Sequence, residues 1–376
     1  MERLKPFLTQ PNPDLLLFLA VSALKTGFFL GAVMGFTAFL TWVERKLSSL
    51  MQDRIGPNRA AVFGLTLLGL FHPIADGIKL MMKEDFVPAR ADKVLFTLAP
   101  VMTLVPVLAA FAVIPFGDYI EICGYRVDLV IARLPLGLLY VLAVSGLAVY
   151  GTFLAGWASK SNFALLGALR GAAQMISYEV TLGLTLAGLM MVYGTADLQQ
   201  IVLAQGRLLY GFIPAWGIVY QFPAFLLFLT AAMAENKRTP FDVVEGESEI
   251  IGYFMEYSSM RFAVFMFAEF IEIILVAMLA VTLFLGGWQI PYLGETGFLF
   301  PGGRSIAMPH YATAAAQTAA FAAKTAFMCW ALMTLRWTVP RFRFDQVMRL
   351  AWQGILPLSL LNILATGLVL ALAGKL

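Results

Sequence analysis

Residues 94–116 read VLFTLAPVMTLVPVLAAFAVIPF, a run of 23 residues that contains no Asp, Glu, Lys or Arg. About 20 apolar residues in a helix cross a hydrocarbon core of roughly 30 Å, so the run predicts a transmembrane helix. The whole chain has the same character, because 60% of its residues are hydrophobic and 13% are charged. Its mean hydropathy of +0.81 lies outside the range of soluble globular proteins.

Seven further stretches have a similar length and few or no charges, which predicts eight spans in all. In chain order the predicted spans are 15–43, 94–116, 134–158, 174–194, 208–234, 262–285, 313–335 and 353–374. The first is longer than a span requires and should tilt or project beyond the bilayer. We therefore predict an all-α integral membrane protein that forms a single polytopic membrane domain over residues 1–376.

The basic residues predict the orientation. The loops 45–93, 159–173, 235–261 and 336–349 hold 17 of the 26 Lys and Arg residues. By the positive-inside rule these loops face the cytoplasm. An even number of spans then puts both termini on the outer, periplasmic side of a bacterial inner membrane. The net charge of +3 follows from the same rule and does not indicate nucleic-acid binding.

The chain has few residues that could hold a redox centre. Cys123 and Cys329 lie far apart, and His72 and His310 fall in loops on opposite sides of the membrane. No CxxC pair, glycine-rich phosphate loop or dinucleotide motif is present. We therefore expect no bound metal, haem, flavin or iron–sulfur cluster, and any electrons must come from a partner.

The first inside loop predicts an amphipathic helix in the membrane interface. Apolar residues recur at intervals of three or four, as on one face of a helix, and polar residues fall on the opposite face. The apolar set is Phe63, Leu67, Phe71, Ile74 and Ile78, and the polar set is His72, Asp76, Lys79 and Lys83. Such a helix could be a simple anchor with a solvated face. Alternatively it covers a cavity, with Asp76 and Lys79 directed at a polar ligand.

Three glutamates fall inside predicted spans, where an ionisable residue commonly marks a functional path. Glu179 could instead pair with Arg170 in a structural role. Glu269 and Glu272 lie one helical turn apart on one face. At that spacing two carboxylates repel by roughly 2.5 kcal/mol, enough to keep one protonated near neutral pH. These glutamates are candidates for proton exchange.

The loop at 235–259, ENKRTPFDVVEGESEIIGYFMEYSS, concentrates six of the 23 acidic residues. Protonation of neighbouring acids is coupled, so the loop indicates proton handling. Asp242, Glu249 and Glu256 would lie on one face of any continuous helix, although Gly246 and Gly252 interrupt it. A solvated acidic surface is the alternative.

At these motifs the chain resembles the H-type membrane subunits of respiratory complex I, the proton-translocating NADH:quinone oxidoreductase. The resemblance extends over nearly the whole chain. It rests on WVERK at 42–46, QDRIGPNR at 52–59, PIADGIKLMMKED at 73–85, GWASKSNFALLGALRGAAQMISYEV at 156–180, NKRTPFDVVEGESEI at 236–250 and PRFRFDQVMRLAWQ at 340–353.

The resemblance implies an eight-helix subunit that forms most of a quinone tunnel and joins a membrane arm to a hydrophilic arm. Quinone is then the substrate, electrons come from an iron–sulfur subunit of the hydrophilic arm, and lipid and membrane-arm subunits are the other partners. The implied tunnel residues are Glu44, Arg45, Arg54, Asp76 and Lys79. The implied proton-path acids are Glu179, Asp242, Glu245, Glu247, Glu249 and Glu256. Arg341, Arg343 and Asp345 match the last inside loop, near the junction of the two arms.

Other interpretations stay open at this point. A homologous subunit of a membrane-bound hydrogenase would share the motifs and differ in its electron donor. A proton-coupled transporter could use Glu179, Glu269 and Glu272, although no inverted repeat is evident. A structural anchor would leave the intramembrane carboxylates unexplained. Between Glu249 and Glu256 the chain has six residues where relatives commonly have seven, which on a helix would rotate Glu256 by about 100°.

Overall fold

The computed structural model describes residues 15–122, 125–209, 213–244, 252–294, 297–299 and 305–374. Within them, seven helices are long and apolar enough to cross a membrane, which confirms a mainly helical, multi-pass protein. The helices are α1 (Leu15–Met51), α2 (His72–Met82), α3 (Lys93–Ala110), α4 (Gly137–Ser145), α5 (Ala148–Ala158), α6 (Asn162–Tyr193), α7 (Leu198–Gln205), α8 (Gly217–Tyr220), α9 (Phe222–Glu235), α10 (Ser259–Phe284), α11 (His310–Thr338), α12 (Phe344–Arg349) and α13 (Leu356–Leu372).

Two of the spans are interrupted helices. Helices α4 and α5 follow one another with a break at Gly146 and Leu147, and a π-helical turn at Leu350–Ile355 joins α12 to α13. Helix α1 has 37 residues and a length of about 55 Å, so it is longer than the bilayer core is thick. The excess length predicted for the first span is therefore present.

The predicted span 208–234 contains only a 14-residue apolar helix, α9. Pro223 lies at the start of α9, and Gln221 has a non-helical backbone that separates α9 from α8. The side chain of Gln221 is buried and hydrogen-bonds Thr366 (2.6 Å) and Asn362 (3.0 Å) of α13. A break of this kind is tolerated at membrane depth where protein covers it. The count of eight spans therefore stays a prediction.

The first inside loop has a shorter helix than the apolar pattern predicted. Residues 63–71 are not α-helical: Phe63, Leu67 and Leu68 have left-handed backbone angles, and a single 3₁₀ turn covers Leu67–Gly69. Helix α2 begins only at His72, with Pro73 in its first turn, where a missing N–H does no harm. The predicted face is therefore wrong before His72, while Asp76 and Lys79 do lie on a helix.

Two small β-sheets occupy loops that the charge pattern put outside, and a third lies at the start of the predicted span 208–234, where it replaces the expected helix. Strands β1 (Tyr119–Ile122) and β2 (Tyr125–Asp128) pair antiparallel, as do β3 (Leu208–Leu209) and β4 (Ile213–Pro214). The three-stranded sheet has the order β5 (Leu293–Gly294), β6 (Gly297–Leu299), β7 (Ser305–Ala307). The sequence analysis did not predict these strands.

Helix α10 is the centre of the packed bundle. Most of its side chains are buried, and α1, α3 and α11 pack around it. The two glutamates of α10 therefore lie in the protein interior, while large apolar side chains such as Leu24 and Phe28 of α1 remain exposed on the outside of the bundle. We call the side of the bundle that carries the four basic loops its basic end.

Candidate functional site

A cavity of about 440 Å³ opens at the basic end of the bundle, between α1, α2, α10 and α11. Helix α10 supplies an apolar wall that includes Phe262, Met266, Phe267 and Phe270. The other walls carry charged side chains, which are Glu44, Arg45, Asp76, Lys79, Lys237, Arg238, Asp242 and Arg336. We call this cavity the chamber. It offers apolar surface and polar groups within one enclosure, as small-molecule sites do.

A glutamate from α1 holds two arginines at the chamber wall. Glu44 is buried, and its Oε2 accepts a hydrogen bond of 2.8 Å from Nη1 of Arg238. Its other carboxylate oxygen accepts from Arg336 at the end of α11. The guanidinium of Arg238 also lies over the ring of Phe270, 4.4 Å from its centre. These contacts join α1, α10, α11 and the loop after α9.

A second carboxylate organises the opposite side of the chamber. Asp76 of α2 forms an ion pair with Arg45 (Nη2 to Oδ2, 2.6 Å) and accepts a hydrogen bond from Nζ of Lys79 (3.2 Å). Asp76 is partly exposed, so these ion pairs are less shielded from solvent than those of Glu44. Three of the side chains predicted for a polar ligand are thus together at one wall.

Gln174 of α6 fixes the loop that follows α9. Its amide nitrogen donates to the carbonyls of Ala234 and Phe241, both at 2.7 Å. The same loop holds buried Asp242, whose carboxylate accepts a hydrogen bond of 2.9 Å from Nη2 of Arg341. The carbonyl of Pro240 accepts from the N–H of Phe342 (3.0 Å). The last basic loop therefore packs directly against the acidic loop.

One predicted tunnel residue and one predicted pair lie away from the chamber. Arg54 is on an exposed turn after α1, where its Nε donates to Gln52 (2.8 Å), and it does not line the chamber. Arg343 and Asp345 form an exposed ion pair at the start of α12, with Nε 3.1 Å from Oδ1. Their predicted roles are not tested by this geometry and stay predictions.

The two glutamates of α10 lead from the chamber into the interior of the bundle. Glu269 lines the chamber, whereas Glu272 lines a cavity of about 30 Å³ together with Ser145, Glu235 and Asn236. Within the described part of the chain, Oε2 of Glu272 is buried and has no hydrogen-bond partner. The lining of this small cavity is mostly apolar with these four polar side chains, and its volume is enough for one water molecule.

Glu179 of α6 lies against the break between α4 and α5. A Cβ added to Gly146 would overlap the Glu179 carboxyl group, so a larger residue there would displace that carboxyl group. The alternative partner Arg170 is nine residues earlier on the same helix, about 13 Å along its axis. Its guanidinium lies 5.0 Å from the ring centre of Phe344. This placement does not favour a pairing of Arg170 with Glu179.

Of the remaining loop acids, only Glu256 is described. It lies half-buried in a turn, and neither 241–244 nor 252–258 is helical, so the described ends of the loop do not continue as one helix. Glu245, Glu247 and Glu249 lie outside the described residues. Next to Glu256, Tyr257 stacks on Phe96 with ring centres 3.9 Å apart, and burial raises the pKa of its hydroxyl.

Lys237, Arg238 and Arg336 line the chamber but are not among the predicted site residues. All three follow closely on long apolar stretches. Cations at such places indicate the orientation of the chain in the membrane and do not by themselves indicate a binding site. The two consecutive cations in NKRTPFD could have been singled out, since they come soon after Glu235, an acid at the end of a long apolar stretch. In the described part of the chain no group of three or more His, Cys, Asp or Glu residues could hold a metal ion.

Comparison with known proteins identifies the family. A family model described as NADH dehydrogenase matches residues 12–367. The chain is 44% identical over 355 residues to the H-type subunit of the NADH-quinone oxidoreductase of Thermomicrobium roseum, and the match covers 93% of this chain and 96% of that protein. It is 46% identical over 353 residues to an H-type subunit of the same oxidoreductase in Geobacter sulfurreducens, covering 94% and 97%. For an H-type subunit from Rhizobium meliloti the identity is 40% over 357 residues, covering 95% and 99%.

The matched region, residues 12–367, includes every residue that lines the chamber. These similarities confirm the resemblance seen in the inside-loop motifs. The chain belongs to the NADH dehydrogenase family of membrane subunits.

Proposed function

We propose that the chain is the membrane subunit of a proton-translocating NADH:quinone oxidoreductase that forms most of its quinone tunnel. In this proposal the chain binds quinone and responds to its reduction, and carries no redox centre itself. The names of its relatives support the assignment to that oxidoreductase. The observation that carries the proposal is the chamber, with its apolar wall on α10 and its charged walls on the other elements.

The chamber suits the two ends of a quinone. An isoprenoid tail needs an apolar surface, which Phe262, Met266 and Phe267 provide. A headgroup whose carbonyl oxygens gain electron density needs hydrogen-bond donors, and Arg45 and Lys79 are held at the wall by Asp76. Charged donors stabilise a developing negative charge more than neutral ones do.

Reduction of a quinone to the quinol takes up two protons, and the acids next to the chamber are suited to sense that change. Glu269 lines the chamber, Glu272 lies one turn further along α10, and Glu235 and Glu179 lie within electrostatic reach of one another. We propose that this series, together with the acids of the 242–256 loop, couples quinone reduction to proton movement in the membrane arm.

The proposed setting is the cytoplasmic membrane of a bacterium, with the basic end in the cytoplasm and both termini outside. An iron–sulfur subunit of the hydrophilic arm then docks on the basic end, and α2 lies in the interface and covers the chamber. This arrangement is supported by the positive-inside rule and by the exposure of α2, none of whose residues is buried in the isolated chain.

The test of the quinone site is to fill the chamber. Ala263 is a buried residue on its apolar wall, whereas Ala89 is exposed at the same end of the bundle. In the assembled complex, Ala263→Trp should abolish reduction of a short-chain quinone and leave electron transfer from NADH to ferricyanide intact. Ala89→Trp should retain both activities. A parental rate of quinone reduction in Ala263→Trp would refute the proposed site.

Proton coupling has a separate test in the acidic loop. Glu249→Gln should impair both quinone-linked activity and proton pumping in the assembled complex. Normal rates together with a normal proton yield per electron would rule out that role for the loop.

A further inference from the structure

Lys237 is a buried lysine beside the proposed proton path. The residue is 5% exposed and has a left-handed backbone with a φ of 53°, two residues after the end of α9. The ammonium group donates to Oγ1 of Thr152 in α5 (3.3 Å) and lies 5.4 Å from the ring centre of Tyr253. Fully buried lysines are rare unless a negative group pairs with them.

The negative groups around Lys237 lie mainly on α10. Burial acts to lower the pKa of Lys237, but Tyr253, Glu272 and Glu269 outweigh it and raise the pKa above its usual value. The ammonium group therefore stays charged under the influence of these groups. Lys237 and Glu269 both line the chamber, and Glu272 lies one helical turn beyond Glu269 on α10.

Other charged groups of the described chain face the same cluster from the elements that pack around it. The charge of Arg238 influences Glu269 and Glu272, although its guanidinium group hydrogen-bonds Glu44. The charge of Asp242 influences Glu269. Glu235, at the end of α9, is influenced by Glu179, Glu272 and Lys237. Thr152 is the neutral contact from α5. Lys237 and Arg238 are thus the two cations of the described chain that influence the pair, and Arg238 is already held by Glu44.

Two neighbouring carboxyl groups in the interior would both keep their protons at neutral pH if no cation were near. Such a pair could release a proton but could not accept one. A nearby cation favours ionisation of one of the two carboxyl groups. The pair then carries one proton, and its ionised carboxylate can accept another.

We propose that Lys237 is a positioning residue of the proton path, whose ammonium group keeps one carboxylate of the Glu269–Glu272 pair ionised so that the pair can accept a proton from the chamber. The inference rests on the proposed function. A proton that arrives from the chamber binds the carboxylate, and the proton of the other carboxyl group leaves towards Glu235 and Glu179. Lys237 keeps its three protons throughout.

The experiment compares Lys237→Met with Lys237→Arg in the assembled complex in inverted membrane vesicles. Methionine keeps much of the apolar stem and removes the charge, whereas arginine keeps the charge. Proton yield per electron and uncoupled quinone reduction are measured across about pH 6 to 9. Lys237→Met should lose most of its proton yield at neutral pH and recover it about one to two pH units higher. Lys237→Arg should keep the parental profile.

Two results would overturn the inference. One is a parental pH profile in Lys237→Met. The other is an equal loss in both variants at every pH, which would mean that the side chain is only structural. If Lys237→Met does not assemble, infrared spectra of the parent, Glu269→Gln and Glu272→Gln complexes decide the matter. The inference requires one protonated and one ionised carboxyl group in the resting pair at neutral pH, and two protonated groups would contradict it.

Glu179→Gln and Glu269→Gln separate this inference from the proposed path itself. If both variants pump normally, the path is wrong. If both lose proton pumping while Lys237→Met keeps the parental profile, the path stands and only the role of Lys237 falls.

Discussion

The carboxyl group of Glu179 lies against the backbone of Gly146, in space that the Cβ of any other residue would occupy. This contact places an ionisable group of α6 at the break between α4 and α5. A glycine at a helix break is usually explained by backbone freedom, but here the close approach of a side chain is an additional reason. The relationship can be tested without changing the charge of the protein.

Gly146→Ala should displace the Glu179 carboxyl group and lower the proton yield per electron. The end of a flexible side chain can move more easily than a helix, so thermal stability should change by less than the roughly 1–3 kcal/mol typical of core overpacking. Proton pumping in membrane vesicles and thermal unfolding of the purified complex measure the two effects.

Gly183→Ala is the matched control, because Gly183 lies four residues after Glu179 on α6 and has open space around it. It should pump normally. A normal proton yield in Gly146→Ala would mean that the position of Glu179 does not matter for translocation.

The chamber gives a second prediction through Glu44. Replacing it with Gln removes the charge that pairs with Arg238 and Arg336 in a largely buried place. Removing one partner of a buried ion pair costs about 3–5 kcal/mol, an upper range here because Arg336 is partly exposed. Glu44→Gln should therefore lower the melting temperature of the complex and raise the KM for quinone.

The exposed Glu84 at the same end of the bundle provides the control, since its hydrogen bond with Ser258 uses the backbone carbonyl and not the side chain. Glu84→Gln should match the parent in both measurements. An unchanged melting temperature and KM in Glu44→Gln would contradict the stabilising role of the Glu44 contacts.

Asp76 gives a third prediction, which concerns binding more than stability. Asp76→Asn removes the charge that holds Arg45 and Lys79, so the two cations become mobile at the chamber wall. Preorganised donors bind better than mobile ones, and each loss of about 1.4 kcal/mol lowers affinity tenfold. We expect the KM for quinone to rise about tenfold.

The control for Asp76→Asn is Asp53→Asn. Asp53 is exposed and has a φ of 51°, a left-handed conformation that asparagine also adopts readily. It should leave the KM unchanged. If both variants behave alike, the Arg45–Asp76–Lys79 group does not contact the quinone headgroup.

The sequence predicted the membrane class for physical reasons, whereas Glu44 and Arg45 were implied by the family resemblance and only Asp76 and Lys79 by the helical pattern as well. Long uncharged runs have few alternatives to a transmembrane helix, and the motif residues Glu44, Arg45, Asp76 and Lys79 do meet in space. The pattern at 63–71 misled because its apolar spacing fits a helix, whereas the left-handed backbone at Phe63 and Leu67 does not. Local spacing carries no information about backbone angles of that kind.

Residues that act through distant partners were harder to predict. Arg238 and Arg336 reach Glu44 across 194 and 292 residues of chain, and no local pattern indicates such a pairing. The break at Gln221 is similar, because its hydrogen bonds are with Asn362 and Thr366 on α13. A long apolar run at 208–234 therefore suggested a continuous span that the tertiary contacts interrupt.

Lys324 gives the last prediction, because an ionisable residue inside a span is by default a candidate for proton transfer. Its ammonium group donates to three backbone carbonyls, those of Leu285 (2.8 Å), Gly287 (3.0 Å) and Gln289 (2.7 Å), and lies 4.6 Å from the ring centre of Trp216. These carbonyls follow the C-terminal end of α10, where a positive charge is favourable. The contacts indicate a structural cap.

A cap and a proton carrier predict different results for Lys324→Met. Hydrogen bonds to a charged group contribute about 1.5–3 kcal/mol each, so loss of the cap should lower the melting temperature and the amount of assembled complex. The complex that does assemble should translocate the normal number of protons per electron, because no proton passes through Lys324. Lys93→Met, at an exposed lysine, should change neither quantity. A stable Lys324→Met complex with a reduced proton yield would instead assign Lys324 to the proton path.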